Sequence, residues 1–293
     1  MKILVTGREG QVARSLAERT EAHELVFTAR PGFDLADPDS IVRTIHDVRP
    51  DLVISAAAYT AVDQAEEEPE LAMAINGEAP GHIGRAAAAI GAPVLHLSTD
   101  YVFDGSGDRA WHEDDPTGPI GVYGKTKLAG EEALAASRAT FAILRTAWVY
   151  SPFGSNFVKT MLRLAEARDA LEVVNDQYGN PTSALDIADA LLAVADHWKH
   201  EPRHGAGECY HFAGTGSTNW ADFARAIFVE SAGHGGSSCA VAGIPTCEYP
   251  TKAMRPANSR LNSAKFASTF GYKAPCWQLS LADTVTRLSA KSV

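Results

Sequence analysis

The chain has 293 residues, 45% of them hydrophobic, with 26 Lys and Arg against 36 Asp and Glu for a formal net charge of −10. That length predicts two lobes, and an acidic balance without a basic block argues against a nucleic-acid partner. No stretch reaches the roughly 18 apolar residues of a membrane span, which argues against a membrane partner. The apolar run in MKILVTGREG is too short for a signal peptide. Cys209, Cys239, Cys247 and Cys276 show no metal-ligand spacing, so no metal site is assigned, and the four read as thiols of a reducing cytoplasm.

In chain order, KILVT (2–6) reads as a first strand, and TGREGQVA follows it into a helix at 11–20. Gly7 and Gly10 would let the backbone approach a pyrophosphate, which the helix N-terminus stabilises with its unpaired N–H groups. A second strand, ELVFTA (24–29), leads to Arg30; with Arg8 in the glycine turn it offers cations where a 2′-phosphate would lie, favouring NADPH over NADH. After a helix at 38–48 comes DLVISAA (51–57), whose small residues leave room for a flat ligand along Ala58, Tyr59 and Thr60. A helix at 68–90 precedes PVLHLST (93–99). Thr99 and Asp100 emerge at that strand's carboxyl end, where open α/β sheets bind ligands, with Tyr101, Val102 and Phe103 as an apolar wall.

The helix expected at 121–137 opens on YGKTK. Tyr123 and Lys127 stand four residues apart, on one helical face, about 5 to 6 Å apart at Cβ, so the ammonium can bias the phenol's proton. FAILRTAW (141–148) is a fifth strand. A helix at 155–167, a strand at 171–175 and a helix at 183–198 follow, the last two able to return to the same sheet. From about 205 the alternation lapses, and SAGHGGSS (231–238) reads as a loop. The expected fold is α/β, a Rossmann-type doubly wound parallel sheet formed by 1–150 and 171–200. A smaller mixed α/β lobe would be formed by 151–170 and 205–293.

The glycine turn Thr6-Gly7-x-x-Gly10-Gln11, the Tyr123-x-x-x-Lys127 pair and the hydroxyl residue ending strand four resemble the extended short-chain dehydrogenase/reductase superfamily. AAYTAVDQAE, STDYVFDG, VYGKTKLAGE, LRTAWVY, NDQYGNPT and RPANSRL, in order and spread over essentially the whole chain, are similar to its dTDP-4-dehydrorhamnose reductase family. The resemblance implies hydride delivery from NAD(P)H to the C4 carbonyl of dTDP-4-dehydro-β-L-rhamnose, giving dTDP-β-L-rhamnose. It makes Tyr123 the proton donor, Lys127 the group that lowers its pKa and holds the nicotinamide ribose, and Thr99 the partner of the carbonyl oxygen. It sets Gly7, Gly10, Gln11, Val12, Arg30, Asp34, Leu35, Ala58, Tyr59 and Thr60 against the cofactor. Asp100, Tyr101, Val102 and Trp148 fall against the sugar and Arg255 against the diphosphate. Relatives are often homodimers and some use magnesium, for which no ligand set stands out here. The alternatives are a nucleotide-sugar epimerase with tightly held NAD, and a non-enzymatic subunit on the same fold. The epimerases commonly have a longer glycine turn than Gln11-Val12-Ala13 provides, and joint retention of Thr99, Tyr123 and Lys127 argues against the second.

Overall fold

In the computed structural model, which describes residues 1–20 and 22–290, six parallel strands form the central sheet. Five are β1 (Lys2–Thr6), β2 (Glu24–Thr28), β3 (Leu52–Ser55), β4 (Val94–Thr99) and β5 (Phe141–Thr146); the sixth is Glu208–His211. Their order across the sheet is β2, β1, β3, β4, β5 and then Glu208–His211. β3 and β4 are buried at every position, which requires helices on both faces and explains why they read as unbroken apolar runs. One face is covered by the helices Gln11–Arg19 and Ala184–His200, sharing a core with Ile3, Val5, Ile54, Leu97 and Leu144. The other face packs Ile41, Ile45, Ile83 and Leu134 against Leu4, Val53, Val94 and Ile143. The chain order reverses between β1 and β3, so a crevice opens at their carboxyl ends.

The doubly wound parallel sheet thus stands as expected, but two strands fall on the other side of the anticipated division. Ala170–Val174 pairs in parallel with Ala240–Ile244 in a separate two-stranded sheet rather than returning to the main one. Glu208–His211, within the span expected to form the smaller lobe, instead extends the main sheet beside β5. The region beyond 205 also holds the helices Trp220–Gly233, Ala264–Phe270 and Trp277–Ser289. A second hydrophobic core joins Tyr150, Val158, Met161, Leu171, Phe223, Ile227, Trp277 and Leu281. No helix among the described residues is long and apolar enough to cross a membrane.

Candidate active site

The first turn is built for an anion. Gly7 takes φ +85°, a left-handed conformation that glycine adopts without a Cβ penalty. Gly10 caps the helix Gln11–Arg19 without a side chain on its N–H groups, and no carboxylate occupies the first turn. Those N–H groups are therefore open to a pyrophosphate, and the chain fits a dinucleotide there. Val12 is 9% exposed and lies in the core, so it has mainly backbone to offer. The Gln11 side chain has a use the sequence did not reveal. Its Oε1 accepts hydrogen bonds from Ser151 Oγ at 2.8 Å and Asn156 Nδ2 at 2.9 Å, while Asn156 also caps the helix Phe157–Ala165. The glycine turn is thereby tied to the second core.

Arg8 and Arg30 are exposed after β1 and β2. Asp34 spends one carboxylate oxygen on the N–H of Ala36, and Leu35 packs partly on the core. After β3, Ala58 and Tyr59 are half-buried and Thr60 is exposed. Tyr59 is fixed at both backbone groups by Asn76, whose Oδ1 accepts from its N–H at 2.8 Å and whose Nδ2 donates to its carbonyl at 3.0 Å. Asn76 sits in a π-helical stretch, Met73–Glu78, inside the expected 68–90 helix. The Tyr59 hydroxyl donates to Glu68 at 2.7 Å, and that bond is the main reason its proton is held up to about 12.

The helix Val122–Ala135 brings Tyr123 onto the end of β4 because Gly124 has no side chain. A Cβ there would lie 2.1 Å from the Tyr101 carbonyl oxygen, so any larger residue would push the helix off the loop that carries Thr99. Thr99 Oγ1 donates to Asp100 Oδ1 at 3.0 Å and accepts from the Tyr101 N–H at 3.2 Å. The Tyr101 and Tyr123 rings meet edge to face at 5.4 Å. Burial, then the charge of Asp100, pushes the Tyr123 phenol up to about 12, which the neighbouring Thr99 hydroxyl only partly offsets.

The expected lowering of that phenol by Lys127 is not present in this state. Lys127, 3% exposed, donates from Nζ to the Leu97 carbonyl at 2.7 Å and lies 3.4 Å from His96 Nε2, so its charge is directed beneath the helix into β4. Burial pulls the ammonium down to about 8 against the carboxylate of Glu131, four residues on. Glu131 is itself held by Arg145 of β5 in a bidentate buried ion pair, at 2.6 and 2.9 Å.

Val102 is not part of a ligand-facing wall. It is fully buried with Phe103, Trp111 and Leu261, because the short helical turn Asp100–Val102 aims it inward. Trp148 follows β5 at φ +48°, an uncommon conformation for a bulky residue and a sign of stored strain. Its indole stacks on Trp220 with 3.5 Å between centroids, a partner unreadable from sequence because it comes from 72 residues away. Trp220 forms part of the wall of a cavity of about 740 Å³ with Phe157, Met161, Leu164, Arg168, Gln177, Tyr249 and Arg255. Arg255 does reach this cavity, clamped there by Asp63 Oδ2 at 2.7 Å. Apolar walls with Arg168 and Arg255 suit a planar base bearing phosphates. Among the described residues no group of three or more His, Cys, Asp or Glu could hold a metal ion, so magnesium finds no ligand set.

Asp100 gives a test of this geometry by stability alone. Burial raises its carboxyl to about 6, which the neighbouring Ser259 and Thr99 hydroxyls only partly offset. A carboxyl raised above its unfolded value near 3.8 binds its proton more tightly in the folded protein, so stability rises as pH falls through about 6 and stops rising near 4. At pH 7.5 the ionised form costs on the order of 3 kcal/mol. Asp100→Asn should raise the thermal midpoint at pH 7.5, by an amount that shrinks steadily as the pH is lowered. An equal gain at every pH, or none, would mean that Asp100 is solvated.

A doubly wound sheet with a glycine turn after β1 and a Thr99, Tyr123 and Lys127 cluster at the end of β4 defines a short-chain dehydrogenase/reductase type of protein. A family model described as RmlD substrate binding domain matches residues 1–290. The dTDP-4-dehydrorhamnose reductases of Sinorhizobium fredii and Salmonella typhimurium are 46% and 43% identical to the chain, over 98% of it and 98% of each relative. Solved dTDP-4-dehydrorhamnose reductases from Clostridium acetobutylicum and, in complex with NADP, from Bacillus anthracis both match at TM-score 0.90. They are 35% and 30% identical over 98% of this chain and 99% of theirs. The chain belongs to the dTDP-4-dehydrorhamnose reductase family.

Proposed function

We propose that the protein reduces the C4 carbonyl of dTDP-4-dehydro-β-L-rhamnose to the hydroxyl of dTDP-β-L-rhamnose, with NADPH as reductant, in the reducing cytoplasm. The observation that carries this reading is the half-buried Tyr123, seated against Tyr101 at the end of β4 by the close approach at Gly124, with its phenol kept protonated by burial and Asp100. When bound, the dihydronicotinamide supplies hydride to the C4 carbon. Tyr123 supplies the proton: its O–H bond breaks as the oxygen of C4 gains negative charge, and a phenol near 12 is a donor at neutral pH rather than a base. Thr99, whose proton points to Asp100, must turn that proton toward the substrate oxygen if it is to donate to it. Lys127 offers its remaining N–H to the ribose. Asp100, Tyr101 and Trp148 face the sugar, and the cavity at Trp220 takes the nucleoside diphosphate, with Arg168 and Arg255 on its phosphates.

Consumption of NADPH with the keto sugar generated in situ from dTDP-glucose tests the activity. An epimerase would purify with cofactor and consume none. Arg8 and Arg30, both exposed, support the choice of NADPH, because a 2′-phosphate gains charge-assisted hydrogen bonds that a 2′-hydroxyl does not. NADPH should show the higher kcat/KM in parallel assays. Equal or better use of NADH would make these arginines ordinary surface charges.

Trp148→Ala should raise KM for the nucleotide sugar and leave cofactor affinity nearly unchanged. Losing the indole also unstacks Trp220 from the cavity wall. An unaltered KM would confine this pair to a packing role.

A further inference from the structure

Beneath the helix Val122–Ala135 lies a buried polar residue that the reaction above leaves unused. His96, 1% exposed in the middle of β4, is the register partner of Ser55 on β3 and of Ile143 on β5. Its Nδ1 stands 3.0 Å from Ser55 Oγ and its Nε2 3.4 Å from Lys127 Nζ. An ammonium has three protons and no lone pair, so it can only donate. With Lys127 charged, Nε2 must present its lone pair, and the ring proton must sit on Nδ1, where Ser55 Oγ accepts it. A second Lys127 proton goes to the Leu97 carbonyl. Two of the three are thus committed to β4 and one is left for the active-site side.

We infer that His96, held by Ser55 in the tautomer that the ammonium requires, is a positioning residue for Lys127, anchoring the ammonium so that its remaining N–H is delivered to the cofactor ribose. This rests on the reductase reading, in which Lys127 holds that ribose. Few charges face the pair. On its own helix Lys127 meets Glu131, which Arg145 of β5 neutralises; β3 contributes the neutral Ser55, and β5 places Ile143 beside His96. Burial, reinforced by the Lys127 charge, holds His96 well below its ordinary range, so the imidazole stays neutral at working pH. A neutral acceptor suits the ammonium, whereas an apolar residue would remove one of its two protein acceptors and a charged ring would repel it.

Four variants and one spectrum test this. His96→Phe keeps a ring and removes the acceptor, so the basic limb of the kcat/KM profile should move down by roughly one pH unit and the NADPH Kd should rise by about tenfold. His96→Gln, which can place an amide oxygen near the Nε2 position, should restore most of both. Ser55→Ala, which leaves both protein acceptors of Lys127 in place, should shift the limb in the same direction, and the double variant should shift it no further than His96→Phe. An unmoved limb and Kd in a folded His96→Phe protein would overturn the inference. Should that variant not fold, histidine nitrogen NMR of the wild-type protein decides: a neutral ring protonated at Nδ1 supports the inference, and one protonated at Nε2 or at both nitrogens overturns it. The NADPH Kd and the spectrum need no turnover, so failure of the reductase reading would show separately, as a wild-type protein that binds NADPH without oxidising it.

Discussion

Tyr123→Phe should fold and bind NADPH like the parent and lose about 10² to 10⁴ in kcat, the span that general acid catalysis supplies. The substitution keeps the ring that meets Tyr101 edge to face and removes only the hydroxyl. Burial and Asp100 keep that hydroxyl protonated, so the loss should be nearly constant across neutral pH. A variant retaining more than about a tenth of the parent kcat, far above what loss of a general acid allows, would move the proton to Asp100 or to a bound water. Lys127→Ala should differ in kind, lowering kcat and raising the NADPH Kd together.

Arg145→Met should carry the largest cost in stability, about 3 to 5 kcal/mol, because it strands the Glu131 carboxylate in the interior without its partner. Both residues are 5% exposed and joined by two hydrogen bonds. Glu131 stands four residues beyond Lys127, so an unpaired carboxylate there would also draw the ammonium and raise its affinity for protons. Denaturant melts of Arg145→Met, Glu131→Gln and the double variant check the coupling. The double variant should be more stable than Arg145→Met alone, because no charge is then left buried. Costs that simply add would show that the pair lies in water.

The parts of the site legible in sequence are those fixed by local spacing. Gly7 and Gly10 follow a strand and open a helix, and Tyr123 and Lys127 share a helical face whatever that helix packs on. Gly124 between them gives no hint that it must clear the Tyr101 carbonyl, since that requirement arises only when helix meets loop. His96 read as part of an apolar strand, and its meeting with Ser55, 41 residues earlier, depends on the parallel register of β3 and β4. Trp148 stood out by type and place, but its stacking on Trp220 needed the second core to assemble. Val102 is expected in an apolar wall from its residue type and its place after strand four, whereas the chain turns into a short helix after Thr99 and points Val102 inward. The strand Glu208–His211 escaped notice because its four residues mix a charge, a thiol, an aromatic and an imidazole, and only its place beside β5 makes it part of the sheet.

The most direct test follows the hydride itself. NADPH carrying deuterium at nicotinamide C4 would be incubated with the enzyme and dTDP-4-dehydro-β-L-rhamnose, and the product sugar analysed by NMR. The account predicts one deuterium bound to C4 of dTDP-β-L-rhamnose for each NADPH oxidised, with the hydroxyl proton drawn from solvent. Label at any other carbon, or a changed sugar with no NADPH consumed, would contradict it.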